Sequence, residues 1–232
     1  MSIWSRISEA LAALGRGEGL SAVFDRLRTP PERRVAFTIA VIALGAKMAK
    51  ADGRVTRDEV SAFREVFRIA PEDERGAARV FNLARQDVAG YEEYARRIRR
   101  MFGDGAPVLC DLMEGLFHIS VADGVFHPEE ERFLKRVAEI FGLGSDQFHR
   151  LKSRFVTGAR PDPFEVLGVS PQTPTEEIRK AWRRQVLECH PDRMQARGVP
   201  REALKLAEKR IIDLNRAWEE IRDRHPKETQ GG

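Results

Sequence analysis

The chain has 232 residues, of which 42% are hydrophobic and 33% charged, and its formal net charge is only +4. This composition is typical of a soluble, helix-rich protein that is long enough to bury one large core or two small ones. Because acidic residues are interspersed among the basic ones, the concentrated positive face of a nucleic-acid-binding protein is missing, and we expect no nucleic-acid partner.

Two features bear on the cellular compartment. The only cysteines, Cys110 and Cys189, lie far apart and in no metal-binding or redox spacing, which predicts free thiols in a reducing compartment and no zinc site. The longest apolar stretch, residues 35–46, is shorter than the roughly 20 residues that cross a bilayer. We therefore expect a buried helix there, neither a signal peptide nor a transmembrane anchor, and a cytoplasmic protein.

The segment 1–29 carries one apolar helical face and ends before Pro30 and Pro31. The face consists of Ile3, Trp4, Ile7, Leu11 and Leu14. We interpret it as a helix packed on the following domain. The alternative is peripheral contact with the inner face of a membrane, although Arg6 and Arg16 are fewer basic groups than such helices usually carry.

Residues 30–157 contain an internal repeat. Ala51-Asp52-Gly53 followed by Glu59 matches Ala122-Asp123-Gly124 followed by Glu130. Each copy predicts an apolar helix, a tight Asp-Gly turn and a second, amphipathic helix. Two such helical hairpins would pack into one bundle, so the predicted fold class is all-α.

The acidic pairs of the repeat, Asp52 with Glu59 and Asp123 with Glu130, have the spacing of the second half of an EF-hand calcium loop. The positions that match the first half hold Met48, Lys50, Ile119 and Val121. Because these side chains do not ligate calcium, we interpret the acidic residues as structural: Asp-Gly makes the turn, and a capped helix follows it. A weaker metal site of another geometry is the alternative.

Residues 162–225 form a second helical module. A short helix is followed by a basic helix, the tripeptide His190-Pro191-Asp192, a loop over 194–200 and a long final helix. Pro191 is expected to stop the basic helix, so that its neighbours project from a stiff turn. One face of the basic helix carries Arg179, Lys180, Arg183 and Arg184. One seam of the final helix, which predicts packing against a single antiparallel neighbour, carries Leu204, Ala207, Ile211, Leu214, Trp218 and Ile221.

Four segments of this module resemble a J domain from end to end. They are FEVLGV at 164–169, EIRKAWR at 177–183, HPD at 190–192 and LNRAW at 214–218. An HPD tripeptide alone would be a weak signal, because short motifs recur by chance, but HPD after a basic helix is specific. The resemblance implies that the HPD turn docks on the ATPase domain of a DnaK-type heat-shock chaperone, with Asp192 paired to an arginine of that partner. The basic face would steer the acidic partner surface.

The module departs from the common J pattern at five positions. Trp182, Trp218 and Phe164 stand in place of tyrosines, Gln185 in place of leucine, and Glu188 in place of lysine. These changes bear on the strength of chaperone coupling more than on the fold.

The two Asp-Gly blocks resemble the TerB-like helical domain associated with tellurite resistance. A TerB-like domain followed by a C-terminal J domain is similar to the DjlA-type co-chaperones, although we expect no counterpart of their usual N-terminal anchor. The leading hypothesis is a co-chaperone that stimulates ATP hydrolysis by a DnaK-type partner, while the bundle localises it or selects clients. The alternative is a stress-response scaffold or metal-sensing protein with a weakly active J module. No nucleophile–base pair, phosphate-binding loop or metal triad predicts an enzyme, and no cofactor is expected.

Overall fold

The computed structural model describes residues 6–7, 33–51, 74–86, 90–103, 106–156 and 161–224. These residues form helices and turns and contain no strand, which confirms the all-α class. The helices are α1 (Arg33–Ala51), α2 (Glu74–Gln86), α3 (Tyr91–Phe102), α4 (Pro107–Ser120), α5 (Pro128–Phe141), α6 (Ser145–Val156), α7 (Pro163–Leu167), α8 (Thr175–Glu188), α9 (Pro191–Ala196) and α10 (Leu204–Arg224), with a 3₁₀ turn (Arg201–Ala203) before α10.

Helix α1 is the centre of the bundle. It packs against α2, α3, α4 and α5, and every residue from 35 to 48 is buried, which confirms the buried helix predicted over 35–46. The two buried polar side chains among its residues 33–48 have partners, as burial demands. The Thr38 hydroxyl donates to the Arg34 carbonyl (3.1 Å), and the Lys47 ammonium lies over the Tyr94 ring, 5.1 Å from its centroid.

Helices α4 and α5 with the turn between them are the second copy of the repeat. The Asp123 carboxylate accepts from the Val125 amide (2.9 Å), Gly124 takes the positive φ of +83°, and Pro128 begins α5. The His127 amide donates to the Glu130 carboxylate (2.9 Å), so the turn and the helix start are built as predicted. The first copy from Asp52 onward, with Glu59, lies outside the described residues.

One residue of the predicted N-terminal apolar face is described. Ile7 has no exposed surface and belongs to the bundle core, which agrees with a helix packed on the bundle. Within the described parts of the chain, no helix combines the length and apolarity needed to cross a membrane.

Helices α7, α8 and α10 enclose a second, smaller core. The Asp162 side chain caps α7 by accepting from the Phe164 amide (3.1 Å). The rings of Trp182 and Trp218 stack with centroids 5.5 Å apart, and the Trp182 indole donates to the Asn215 side chain (3.0 Å). The core residues are Phe164, Val166, Leu167, Ile178, Cys189, Leu214, Ala217 and Ile221.

Two predictions for the C-terminal module need correction. The segment after the HPD tripeptide is not a loop throughout, because Pro191 begins α9; proline suits a first helical position, where its missing N–H has no partner to lose. Helix α10 does not pack against a single neighbour. Its 21 residues span about 31 Å, more than the 14-residue α8 can cover, and its first turns enter the bundle core. The residues that this module adds to the bundle core are Met194, Val199, Ala203, Leu206 and Ala207.

Candidate functional site

The HPD tripeptide lies on the surface at the junction of α8 and α9. The side chain of His190 is 54% exposed and that of Asp192 is 87% exposed. His190 caps α9: its Nδ1 accepts from the Asp192 amide (3.3 Å), and its carbonyl accepts from the Met194 amide (3.0 Å). Both polar side chains of the tripeptide are therefore available to a partner.

One nitrogen of the His190 ring is engaged within the turn, because Nδ1 accepts from the Asp192 amide. Nε2 is the other nitrogen through which the ring can meet a partner. The Asp192 carboxylate lies 3.7 Å from Nδ1. The turn thus presents one imidazole ring and one carboxylate acceptor side by side.

The basic face of α8 is exposed along its whole length, but its charges are not equivalent. Arg179 and Lys180 pair with Glu176 (3.8 Å) and Glu177 (2.7 Å) on their own helix. The hydrogen bond from Glu177 and its charge raise the pKa of Lys180. Among the described residues, Arg183 and Arg184 have no ion-pair partner, and they lie about one turn closer to the HPD tripeptide. Unpaired positive charge is therefore concentrated next to the turn.

Beneath this surface, two buried carboxylates of α4 meet three arginines. Asp111 and Glu114 each expose only 2% of their side chains. Arg197 holds Asp111 with two hydrogen bonds, from Nε (2.7 Å) and Nη2 (3.0 Å). Arg154 of α6 donates to Glu114 (2.6 Å), and Arg210 of α10 lies 3.3 Å from Glu114 and 3.8 Å from Asp111. Charges from the bundle and from the C-terminal module thus neutralise each other in one cluster.

The same cluster borders a cleft of about 280 Å³ between the two modules. Cys110, Arg150 and Arg154 line it from the bundle, and Arg184 and Arg210 line it from the C-terminal module. The basic face of α8 therefore continues into the cleft through Arg184.

The buried groups of this interface have shifted pKa values. Burial raises the pKa of Asp111 above its usual value, although the bonds and charge of Arg197 act to lower it. Burial would also raise the pKa of Glu114, but the charges of Arg210 and Arg154 outweigh it and the pKa is lowered. Burial raises the pKa of both thiols, Cys110 and Cys189, to about 11. Both cysteines are free and protonated at neutral pH, which makes them poor nucleophiles.

Two family models match the chain. The model described as "Tellurite resistance protein TerB" matches residues 38–153, which is half of the chain, and the model described as "DnaJ domain" matches residues 162–229. The chain belongs to the TerB family and carries a C-terminal J domain. The recognition from sequence is thereby confirmed.

Relatives named "Co-chaperone protein DjlA" align over most of both chains. The protein of Photobacterium profundum is 28% identical over 89% of this chain and 84% of its own length. The protein of Vibrio cholerae is 26% identical over 87% and 82%, and that of Escherichia coli K12 is 23% identical over 96% and 98%. No solved structure gives a significant match. The architecture and these relatives make the chain a DnaJ-like co-chaperone of the DjlA type.

The DjlA-type J domain brings some of the predicted site residues together. His190, Pro191 and Asp192 form the exposed turn, and the four basic residues of α8 share one exposed face. Sequence reasoning did not find the buried cluster of Asp111 and Glu114 with its arginines. The signal was available, since two acidic residues three positions apart interrupt the otherwise apolar sequence of α4.

The weak metal candidates have structural partners where they are described. Asp123 accepts from the turn backbone, its second oxygen lies 3.7 Å from His127 Nε2, and Glu130 accepts from the His127 amide. Asp52 and Glu59 lie outside the described residues. The described residues contain no group of three or more His, Cys, Asp or Glu side chains that could hold a metal ion.

Proposed function

We propose that the J domain of this chain stimulates ATP hydrolysis by a DnaK-type heat-shock chaperone. The observation that carries the proposal is the HPD turn, whose His190 and Asp192 side chains are exposed directly after a basic helix. The buried acidic residues, by contrast, are already satisfied by arginines within the chain. Asp192, whose side chain is 87% exposed, is therefore open to a cationic group on the chaperone's ATPase domain.

The charges around the turn suggest how the two proteins would meet. Arg183 and Arg184 have no ion pair among the described residues, so no direct partner offsets their charge, although Glu188 lies four residues after Arg184 on the same helix. The field of such charges raises association rates with an acidic surface and weakens as salt is added. Arg179 and Lys180 contribute less in this proposal, because Glu176 and Glu177 offset their charge.

We also propose that the TerB bundle localises the protein or selects its partners, and that it holds the J domain in a fixed orientation. The fixed orientation is supported by the shared core, in which Met194 and Leu206 of the J module pack with the bundle. The buried ion pair of Asp111 with Arg197 adds a directional contact between the two modules.

The test is single-turnover ATP hydrolysis by a DnaK-type chaperone with the full chain. Asp192→Asn keeps the size of the side chain and removes its charge. A charge-assisted contact contributes about 1.5–3 kcal/mol, so stimulation should fall by roughly tenfold or more, while circular dichroism shows unchanged helicity. Asp223→Asn is the matched control: it also removes one exposed carboxylate, with 71% exposure, from a helix of the J domain.

A second arm separates steering from docking. Arg183→Ala and Arg184→Ala should raise the concentration needed for half-maximal stimulation, and the difference from wild type should shrink at high salt. If Asp192→Asn stimulates as well as wild type, or if wild type does not stimulate at all, the proposal is wrong.

A further inference from the structure

Arg197 follows α9 and contacts both the bundle and the last residue of α8, which lies two positions before His190. Its Nη1 donates to the Glu188 carbonyl at the end of α8 (2.8 Å). Its Nε and Nη2 bind the two oxygens of Asp111 on α4 (2.7 and 3.0 Å). The Arg197 guanidinium thus connects the Glu188 carbonyl, directly before the turn at 189–192, to Asp111 of the bundle. Arg197 itself follows the turn, so both sides of the turn are tied to the bundle through one side chain.

The turn has few other restraints on its exposed side. The Asp192 amide donates to His190 Nδ1 at 3.3 Å, a long bond, and both side chains reach solvent. On the buried side, Met194 and Val199 enter the bundle core just before and after Arg197. The contact from Arg197 to the Glu188 carbonyl is therefore a direct hydrogen-bonded link between the bundle-bound guanidinium and the far end of the turn.

The link depends on the shape of an arginine and the charge of its partner. A guanidinium has several N–H donors in a planar fork, so it can bind a carboxylate with two of them and a carbonyl with a third. A lysine ammonium cannot reproduce this arrangement. Asp111, which is 2% exposed, fixes the plane of the fork because both of its oxygens are bound.

We propose that Asp111 of the TerB bundle is a positioning residue for the HPD turn and that it acts through Arg197. The inference rests on the proposed function, because its consequence for activity requires a chaperone that reads the turn. In this arrangement the bundle sets the orientation of His190 and Asp192, and the J domain is not an independent module on a tether.

The chain offers a matched control one helical turn away. Glu114 is as buried as Asp111 and also pairs with the J domain, but its ion-pair partners are Arg154 and Arg210 and not Arg197. Asp111→Asn should lower maximal stimulation of the chaperone by about tenfold, since a displacement of about 1 Å can cost up to 10²-fold in rate. The half-maximal concentration should change less than about twofold, because the basic face still steers the encounter. Glu114→Gln should leave maximal stimulation close to that of wild type.

Double variants test whether Asp111 acts through Arg197. Arg197→Lys should reproduce the loss of Asp111→Asn, and the two changes together should be no worse than either alone, as expected for residues in one contact. If Asp111→Asn and Glu114→Gln reduce stimulation equally, or if the double variant shows the product of two independent losses, the positioning role is wrong.

A readout without the chaperone separates this inference from the proposed function. Amide hydrogen exchange reports local opening, and the amides of Cys189, His190 and Met194 are hydrogen-bonded in and around the turn. Asp111→Asn and Arg197→Lys should increase exchange at these amides by about tenfold, and Glu114→Gln should not. Unchanged exchange in Asp111→Asn would overturn the inference, whatever the chaperone assay shows.

Discussion

At the scale of single residues, hydrogen bonds accommodate two departures from the usual J pattern. Gln185 donates to the Leu167 carbonyl (2.7 Å) and so joins α8 to the end of α7. Trp182 stacks on Trp218 and donates to Asn215 (3.0 Å). The polar atoms that these side chains bring into the J core therefore have partners, and the core does not bear the cost of unsatisfied groups.

Gly198 provides a residue-scale prediction about the docking of the J domain. Its φ is +105°, and a Cβ there would lie 3.0 Å from the Arg33 Cβ at the start of α1. Gly198→Ala should lower the free energy of unfolding by about 1–3 kcal/mol, because both the backbone and the close approach oppose a side chain. Urea unfolding measures the change.

Gly144→Ala is the control for that experiment. A Cβ at Gly144 would meet no atom within 4 Å, and its φ is not positive. The free energy of unfolding should stay the same or rise by about 0.4–1 kcal/mol, through a smaller entropy of the unfolded chain. A loss at Gly144 as large as that at Gly198 would contradict the explanation from backbone and contact.

At the scale of whole helices, α10 has two environments. Its first turns place Leu206 and Ala207 in the bundle core, and its later turns place Leu214, Ala217 and Ile221 in the J core. Between them, Arg210 reaches the buried carboxylates of α4. One continuous helix therefore carries contacts of both cores, and displacement of its N-terminal half disturbs the bundle.

Two substitutions in α10 test this dual role. Leu206→Ala should lower the free energy of unfolding by about 2–5 kcal/mol, as for a leucine in a large core. Ile212→Ala, at a position that is 57% exposed, should change it by no more than about 0.5 kcal/mol. Chemical denaturation of the full chain gives both values. If Leu206→Ala and Ile212→Ala both changed the free energy of unfolding by a similar, small amount, α10 would not contribute to the bundle core.

The helices show which structural features could be predicted from the sequence and which could not. The apolar period of α10 and the buried stretch of α1 were predictable, because periodicity reports which side of a helix is buried. Periodicity does not report which partner covers that side, so the two cores shared by α10 could not be predicted. The short helix α9 was missed because proline both stops one helix and starts the next.

In the candidate site, too, local features could be predicted and contacts between distant residues could not. The HPD turn and the basic face were found because the local motif holds their residues together. The pairing of Asp111 with Arg197 joins residues far apart in the chain, and a single sequence contains no signal for which arginine meets which carboxylate. The unequal charges on α8 depend on side-chain contacts of Arg179 and Lys180 with their neighbours, which spacing alone leaves open.

For the whole molecule, the buried ion cluster links the association of the two modules to pH. The lowered pKa of Glu114 means that the folded state favours its charged form. The contribution of this group to stability is therefore present above its usual value of 4.5 and is lost as the pH falls through its lower, folded value. The pKa of Asp111 is raised in the folded state, so its effect on stability has the opposite pH dependence. Its contribution is present at low pH and is lost as the pH rises through the folded pKa.

A comparison of variants isolates the Glu114 effect from the rest of the protein. At neutral pH, wild type should be more stable than Glu114→Gln, because Arg154 and Arg210 lose a charged partner in the variant. The difference should narrow as the pH falls below 4.5, since glutamine cannot titrate. Urea unfolding across this range measures it. A difference that stays constant with pH would mean that Glu114 acts by shape alone.

The two cysteines make the contact between the modules measurable without any engineering. Cys110 borders the cleft from the bundle, Cys189 lies in the J core directly before the HPD turn, and the chain has no other cysteine. A thiol-specific dye therefore reports on accessibility at these two places, with Cys110 the more accessible of the two thiols. The labelling rate at Cys110 measures opening of the cleft between the modules, and the rate at Cys189 measures opening of the J core. Both rates can be followed while a chaperone is bound at the turn.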